Sequence, residues 1–519
     1  MKDHFTIGIS AYFHDSAVAL SKNGRIVFAI QEERLTRIKN DENFPLKSLK
    51  KTLYQNNLKV NDIDSFVFYE KPFIKFERLL ETYLSYAPKG IKSFSKFLPL
   101  WVEKKLLMKD TIFNELKKID KVFSNKDKIH FSNHHLSHAA SVFFLSGMDE
   151  CLILNIDGVG EWNTTTIMRG YKTQIENLEE INFPHSIGLL YSAFTYFCGF
   201  EVNNGEYKLM GLAPYGEPKY TKLILDNIVH VNEDGSFNLN MKYFDYCAGL
   251  KMTNKNFSNL FKAKPRKLDE KKIDKIYIDI ACSIQNVIEE IIIKILKYAR
   301  DKYQIKKLCM SGGVALNCAV NGKIINENIF DEIFIAPASG DAGGAIGAAL
   351  SFDYLDNKMK LKNFERHTYS SKDISYLGPE YCKHEIKEFL IKNNINFEEK
   401  DEDELINFTT DKLIEKKIIG WFSGRMEFGP RALGSRSILA DPRIVDMQKD
   451  INMKIKFREG FRPFAPMILY EHLTDWFDFD RESPFMLFLA KLKKSKIKNF
   501  ETISSAKYFD KSKIVNSEV

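Results

Sequence analysis

The chain has 519 residues, 44% of them apolar and 28% charged, with a formal net charge of +7. That length supports two or more domains with full cores, and +7 spread over it does not by itself require nucleic acid. Seven cysteines form no Cys-x-x-Cys pair, no run is long and apolar enough to span a bilayer, and no leader of basic then apolar residues opens the chain; a reducing, cytoplasmic setting is expected.

Phe5 to Ser10 reads as a strand and Ala11 to Ser16 as a polar tip carrying His14 and Asp15. Ala17 to Leu20 and Arg25 to Ile30 follow as strands joined by an Asn-Gly turn. Taken alone, His14 also fits an exposed loop residue. Residues 41–130 are Lys-rich with aromatics at helical spacing. They are expected to be packing helices without chemistry.

Three histidines, His134, His135 and His138, then fall within five residues. A helix over Leu136 to Leu145 would set His134 and His138, four apart, on one face near its start. Two such imidazoles can grip one cation, and Asp157, ending the strand Cys151 to Ile156, can add an oxygen. The alternative is a plain helix start with surface histidines. Cys151 to Ile156, the tip Asp157 to Asn163 and the strand Thr164 to Gly170 repeat the plan of the first hairpin. An internally duplicated α/β domain is therefore expected. Actin, sugar kinases and heat-shock chaperones share that plan, an analogy of fold and not of function.

Gly205 to Gly216 is punctuated by Gly and Pro and reads as neither plain helix nor strand. Its Lys208 suits an anionic or hydroxylated ligand, or simply the surface. Ile276 to Tyr298 has helical apolar spacing. Two strand–turn–helix units come next. In the first, Lys307 to Met310 leads through Ser311, Gly312 and Gly313 into a helix over Val314 to Ile324 that contains Asn317. In the second, Ile333 to Ala336 leads through Ser339 to Gly344 into a helix over Ala345 to Ser351. Such turns let backbone N–H groups approach phosphate or sugar oxygens. Asp341, in the second turn, either completes a site with His134, His138 and Asp157 or caps its helix.

Residues 355–405 are charged and read as a linker with leading helices. Beyond them stand Arg425, Arg431, Arg436, Arg443, Arg458 and Arg462, several beside Gly or Pro. Arginine in turns suits forked recognition of phosphate or carboxylate oxygens. Without interleaved stacking aromatics, a small polyphosphate ranks ahead of nucleic acid.

These residues together resemble the O-carbamoyltransferases of the NodU/CmcH type, which act on nodulation factors, cephem antibiotics and aminoglycosides. The resemblance runs from Gly8 to about Leu489. It rests on Gly8-Ile9-Ser10 with His14-Asp15-Ser16-Ala17, Gln31-Glu32-Glu33-Arg34, and His134-His135 with His138-Ala139-Ala140-Ser141. Leu209 to Gly216, Ser311 to Asn317 and Glu427 to Gly434 carry the rest. It implies an α/β architecture: residues 1–354 as a duplicated actin-like ATPase (ASKHA) domain, 355–400 as linker, and 401–519 as an α+β YrdC-like domain. That last domain reads as C-terminally shortened, because the family's Asn-Thr-Ser-Phe-Asn type segment is missing. The implied activity makes carbamoyl-adenylate from carbamoyl phosphate and ATP, then transfers the carbamoyl group to a hydroxyl. Fe2+ or another divalent metal would sit on His134, His138, Asp157 and Asp341, with Mg2+ accompanying ATP. His14, Asp15 and Lys208 would be catalytic. Ser311, Gly312, Gly313, Asn317 and the six arginines would bind cofactor. The partner is expected to be a small hydroxyl acceptor, without nucleic acid or membrane, and a homodimer is compatible. Two rivals are a protein of the tRNA threonylcarbamoyl-transfer type and a degenerate nucleotide-binding protein.

Overall fold

Three strands, β1 (Phe5–Ser10), β2 (Ala17–Lys22) and β3 (Arg25–Gln31), form an antiparallel meander. β4 (Ser65–Phe68) and β5 (Ile129–Phe131) extend it in parallel beside β1, giving the order β3-β2-β1-β4-β5. The plan then recurs. β6 (Glu150–Ile156), β7 (Asn163–Tyr171) and β8 (Gln174–Asn182) make a second meander. After a separate small hairpin, β9 (Val229–Val231) with β10 (Phe237–Leu239), strands β11 (Lys307–Ser311) and β12 (Glu332–Ile335) add in parallel beside β6. The second order is β12-β11-β6-β7-β8. Counted from the first strand of each meander, both sheets have the same order and the same sense at every pairing. The sheets are thus mixed, parallel and antiparallel, within an α/β layout.

The computed structural model describes residues 3–101, 106–270, 272–356 and 366–497. Within the expected linker, 357–365 lie outside the described residues, as do 498–519 of the expected second domain. The chain divides into one unit of Met1–Ser370 with Leu487–Leu489, and another of Ser371–Met486 with Ala490 onward. Among the described residues no helix is long and apolar enough to cross a membrane.

In the first unit the helices that matter for the site are α1 (Pro72–Tyr86), α2 (His134–Ser146), α3 (Ile187–Phe197), α4 (Glu206–Leu212), α5 (Lys275–Tyr303), α6 (Cys318–Asn326) and α7 (Asp341–Ser351). Asn133 starts α2 by accepting a hydrogen bond from Leu136 N at 3.2 Å, which satisfies one of the orphan donors of the first turn. Gly147, at φ +74°, ends it. α2 is buried almost all round, as its apolar and small residues demand. α7 reads Asp-Ala-Gly-Gly-Ala-Ile-Gly-Ala-Ala-Leu-Ser and is buried throughout. A Cβ at Gly347 would overlap the carbonyl oxygen of Ser137 in α2, and one at Gly8 in β1 would overlap the carbonyl oxygen of Ala345. α7 therefore packs backbone against backbone, and this close approach brings Asp341 to the histidines of α2.

Several expectations need correcting. Residues 41–130 are not only packing helices, because β4 and β5 belong to the first sheet. Gly205 to Gly216 contains a regular helix, α4, followed by a single 3-10 turn over Ala213–Tyr215. The helix expected over Val314 to Ile324 is broken at Asn317. A 3-10 turn covers Gly313–Leu316, and Asn317 at ψ 92° caps the separate helix α6. Its side-chain oxygen is a better acceptor for the freed N–H of Val320, at 3.1 Å, than a helix interior would allow.

In the second unit α8 (Lys383–Lys392) and α9 (Glu402–Ile414) precede a two-stranded antiparallel pair, β13 (Ile419–Phe422) with β14 (Arg436–Leu439).

Gly347→Ala is expected to cost about 1–3 kcal/mol of unfolding free energy, as overpacking a filled interface does. Chemical denaturation with a parallel count of bound divalent metal checks this. Unchanged stability would show that α7 has room to move.

Candidate metal centre

His134 and His138 stand one turn apart on α2, and their Nε2 atoms are 3.1 Å from each other. His134 Nε2 is 3.1 Å from Asp157 Oδ2 and 3.8 Å from Asp341 Oδ1. His138 Nε2 is 3.4 Å from Asp341 Oδ1 and 3.8 Å from Asp157 Oδ2. One donor atom from each of the four residues falls within 4.8 Å of the others. Four ligands at about 2.1 Å from one cation would be separated by roughly 3.4 Å, in keeping with these spacings. Among the described residues, nothing hydrogen-bonds either oxygen of buried Asp341 or the Nδ1 atoms of His134 and His138. Two imidazoles with two carboxylates suit a first-row divalent ion better than the all-oxygen preference of Mg2+ or Ca2+. The residues present therefore fit the expected metal.

Two of the four, His134 and Asp157, are held from behind. The carboxylate of Glu161 accepts the His134 backbone N–H at 3.0 and 3.1 Å, and that of Lys71 at 2.8 Å. Gly313 N donates to Asp157 Oδ1 at 3.1 Å, leaving Oδ2 for the histidines. Burial alone would raise the Asp157 carboxyl, but the hydrogen bond from His134 and the charges of His138 and His134 hold it well below the usual range. Burial alone would lower His134, but Asp157 and Asp341 bring it up to about 9. His135 is different. Burial and the charges of His134 and His138 push it well below the ordinary imidazole value, and Nδ1 meets Thr166 Oγ1 at 3.0 Å.

His14 reaches the cluster from the first hairpin, with Nε2 3.7 Å from Asp341 Oδ2 and Nδ1 3.3 Å from Asp15 Oδ2. A solvated imidazole titrates at about 6.5. Burial opposes charging, but Asp341 and Asp15 outweigh it and raise His14 to about 9.

The sequence over residues 6–350 matches the carbamoyltransferase N-terminus family, and residues 410–518 match the carbamoyltransferase C-terminus family. The chain belongs to the carbamoyltransferase family. It is 48% identical to an uncharacterised Synechocystis protein over 94% of this chain and 79% of that one. It is 32% identical to nodulation protein NolNO of Sinorhizobium fredii over 94% of this chain and 67% of that one. Over 36% of this chain and 33% of the relative it is 31% identical to a 3'-hydroxymethylcephem-O-carbamoyltransferase of Amycolatopsis lactamdurans.

Other residues singled out in this carbamoyltransferase are spread more widely. Ser311 donates to the side-chain oxygen of Asn155, and Gly312 N donates to Ser339 O at 2.9 Å. The first glycine turn thus orients Asp157 through Gly313. Asn317 is buried and tied to Gln285 by contacts of 3.1 and 3.2 Å. Lys208 lies half-buried on α4, outside the four-ligand cluster.

In the second unit Arg436, Arg458 and Arg462 gather around Lys456. Burial and then their charges lower its ammonium. Arg425 is tied to the carbonyls of Leu377 and Gly378, and Arg443 is paired with Asp441 at 2.6 Å at the surface. Arg431 is half-buried in the same loop as Glu427. Sequence reasoning passed over Glu427, although it opens the Glu-Phe-Gly-Pro-Arg motif. Its buried carboxylate accepts N–H groups of Leu433, Ser435 and Arg436 at 2.7, 2.8 and 3.2 Å and pairs with Arg436 Nε at 2.9 Å. It also passed over Glu161, though that residue lies in the tip that follows Asp157.

His138→Ala is expected to abolish stoichiometric metal, read by elemental analysis. The metal-free carbamoyltransferase should show opposite pH trends in stability and in metal uptake. The His134 proton, bound more tightly folded than at the ordinary 6.5, stabilises fully below 6.5, and that contribution is lost as pH rises through about 9. A cation must displace the same proton, so its apparent affinity should climb by at least about tenfold per pH unit over that window. Calorimetric metal titrations at several pH values read the slope, and a flat profile would count against His134 as a ligand.

Proposed function

We propose that the chain converts carbamoyl phosphate, ATP and one water to carbamoyl-adenylate, with inorganic phosphate and pyrophosphate leaving, and passes the carbamoyl group to a hydroxyl of a sugar or other small acceptor, with AMP leaving. One observation carries this reading. A four-residue donor set fit for a divalent cation sits beside a histidine whose ring nitrogen is 3.7 Å from the carboxylate of one ligand. In this reading the repeated sheets are the two halves of an actin-like domain, and residues 401–519 are the YrdC-like adenylate-forming part.

His134, His138, Asp157 and Asp341 would hold Fe2+ or a related ion. When bound, that ion supplies Lewis acidity toward the carbamoyl carbonyl or the adenylate phosphate. His14 would then act as the base. Asp341 and Asp15 hold its proton in the metal-free chain. Holding that ion would neutralise Asp341, and His14 would then favour the neutral form that accepts a hydroxyl proton. Asp15, 3.3 Å from Nδ1, orients the ring. Lys208 is assigned to the anionic or hydroxylated substrate.

ATP and carbamoyl phosphate, with Mg2+, bring many negative charges together. Arg436, Arg458 and Arg462 around Lys456 provide a cationic cluster suited to oxygens of the departing pyrophosphate. Arg425, Arg431 and Arg443 are assigned to the same cofactor-binding surface. Ser311, Gly312, Gly313 and Asn317 shape the turn on which the transferred group would rest. The fold and metal site favour this reading over a nucleotide sensor, which would need neither His14 nor the tetrad.

The test uses labelled carbamoyl phosphate with ATP. Pyrophosphate should be released only when both are present. His14→Ala should retain that release while carbamoylation of any acceptor falls by at least about 100-fold, the usual worth of a general base. Loss of pyrophosphate release together with transfer would remove His14 from the transfer step.

A further inference from the structure

Helix α1 is built inside out. An amphipathic helix normally buries its apolar stripe. Here the fully buried positions are Pro72, Lys75 and Arg78, while Phe73 and Leu84 are 69% and 75% exposed. Spacing of three sets the two cations on one face. Lys75 has a partner, since its Nζ donates to Glu70 Oε2 at 2.6 Å, and it also lies 5.1 Å from the centre of the Phe13 ring. Phe13 in turn lies against His14, with ring centroids 4.4 Å apart. The cationic face of α1 is therefore turned toward the hairpin tip that carries the proposed base.

Arg78 has no such partner. It is 5% exposed, with its guanidinium carbon over the Phe183 ring, 5.0 Å from the ring centre. Among the described residues nothing accepts a hydrogen bond from its buried Nε or Nη1, while Nη2 is not among the closed-off nitrogens and is the end of the fork that a ligand would meet first. Burial pulls the guanidinium down to about 10, against the charges of Glu70 and Glu161, which act to raise it. Both carboxylates are already engaged elsewhere. Glu70 serves Lys75, and Glu161 serves the backbone N–H groups of Lys71 and His134. A guanidinium carries five donors in a planar fork that matches a carboxylate or phosphate. Leaving a buried charge without an acceptor is costly, so such a group is retained where a ligand completes it.

We propose that Arg78 is the anchor of an oxyanion subsite beside the metal centre, taking a carboxylate or phosphate carried by the hydroxyl acceptor. The class of acceptor is thus an anionic sugar or sugar-like compound. Assigning the oxyanion to the acceptor rests on the carbamoyl-transfer reading; the oxyanion site itself does not.

Thermal melts of the full chain in inorganic phosphate, against sodium chloride at equal ionic strength, test the site. Phosphate at tens of millimolar should raise Tm by about 2–4 °C, and Arg78→Met should cut that response by at least half, the remainder belonging to the second unit's arginines. In phosphate-free buffer Arg78→Met should melt no lower than the unaltered chain, because it removes an uncompensated charge. A lower melting point there would mean that Arg78 is structural and would overturn the proposal, as would an equal phosphate response in both chains. Arg78→Lys, keeping charge without the fork, should retain only part of the response. The source of the oxyanion is read separately. The KM for carbamoyl phosphate in pyrophosphate release should be unchanged in Arg78→Met, and a rise of tenfold or more would reassign the subsite to the donor. Absence of pyrophosphate release from the unaltered chain would overturn the carbamoyl-adenylate reading, while a phosphate response cut by at least half in Arg78→Met would still support the subsite.

Discussion

Two carboxylates and two imidazoles buried within 4.8 Å of one another need positive charge among the oxygens. Without a metal, protons supply it. That is why His134 and His14 are drawn up to about 9 while Asp157 is held well below its usual range. A divalent cation would supply the same charge more compactly and release the protons. Binding a cation at the tetrad would therefore be coupled to the protonation of His14, and in the proposed reaction neutralising the carboxylates would free His14 to act as base.

That charge cluster dictates much of the surrounding fold. Asp341 must arrive from a helix late in the chain and meet a turn of α2, so the two backbones have to touch. Glycine at 347 and 8 allows it, and any side chain there would push α7 away. The outer partners are equally specific. Gly313 N–H fixes which oxygen of Asp157 faces the histidines, and Glu161 clamps the first backbone N–H of α2. Ligands held this way lose little further freedom on binding a cation.

The parts legible in the sequence were those with a short period or a local signal. His134 and His138 share a helical face by spacing alone, Asp157 ends an apolar strand, and the two strand-tip-strand hairpins predict a repeated sheet. β4 and β5 were illegible because each is short and embedded in Lys-rich helices, and only pairing with β1 identifies them as strands. Asn317 was misread because its helical apolar pattern continues across a break, and capping Val320 N–H outweighed the propensity of its neighbours. Glu161, Lys75 and Arg78 carry no local signal at all. Their meaning lies in what surrounds them after folding, and Lys75 and Arg78 stand where an amphipathic reading would have put solvent.

The second unit makes the same point with the signs reversed. Around Arg436, Lys456, Arg458 and Arg462 the local charge is positive, and Glu427 is the counterweight. One buried carboxylate gathers three backbone N–H groups and the Arg436 guanidinium, so the loop from Gly429 to Arg436 is ordered before any polyanion arrives. Arg458 and Arg462 are likewise steadied by Asn452 and Glu459. Ordering flexible arginines at the moment of binding would cost entropy for each side chain. Fixing them beforehand moves that cost into folding. In the proposed reaction Arg436 would keep its pairing with Glu427 and contribute mainly field and position, while Lys456, exposed in part and destabilised by its neighbours' charges, would gain most from an approaching phosphate.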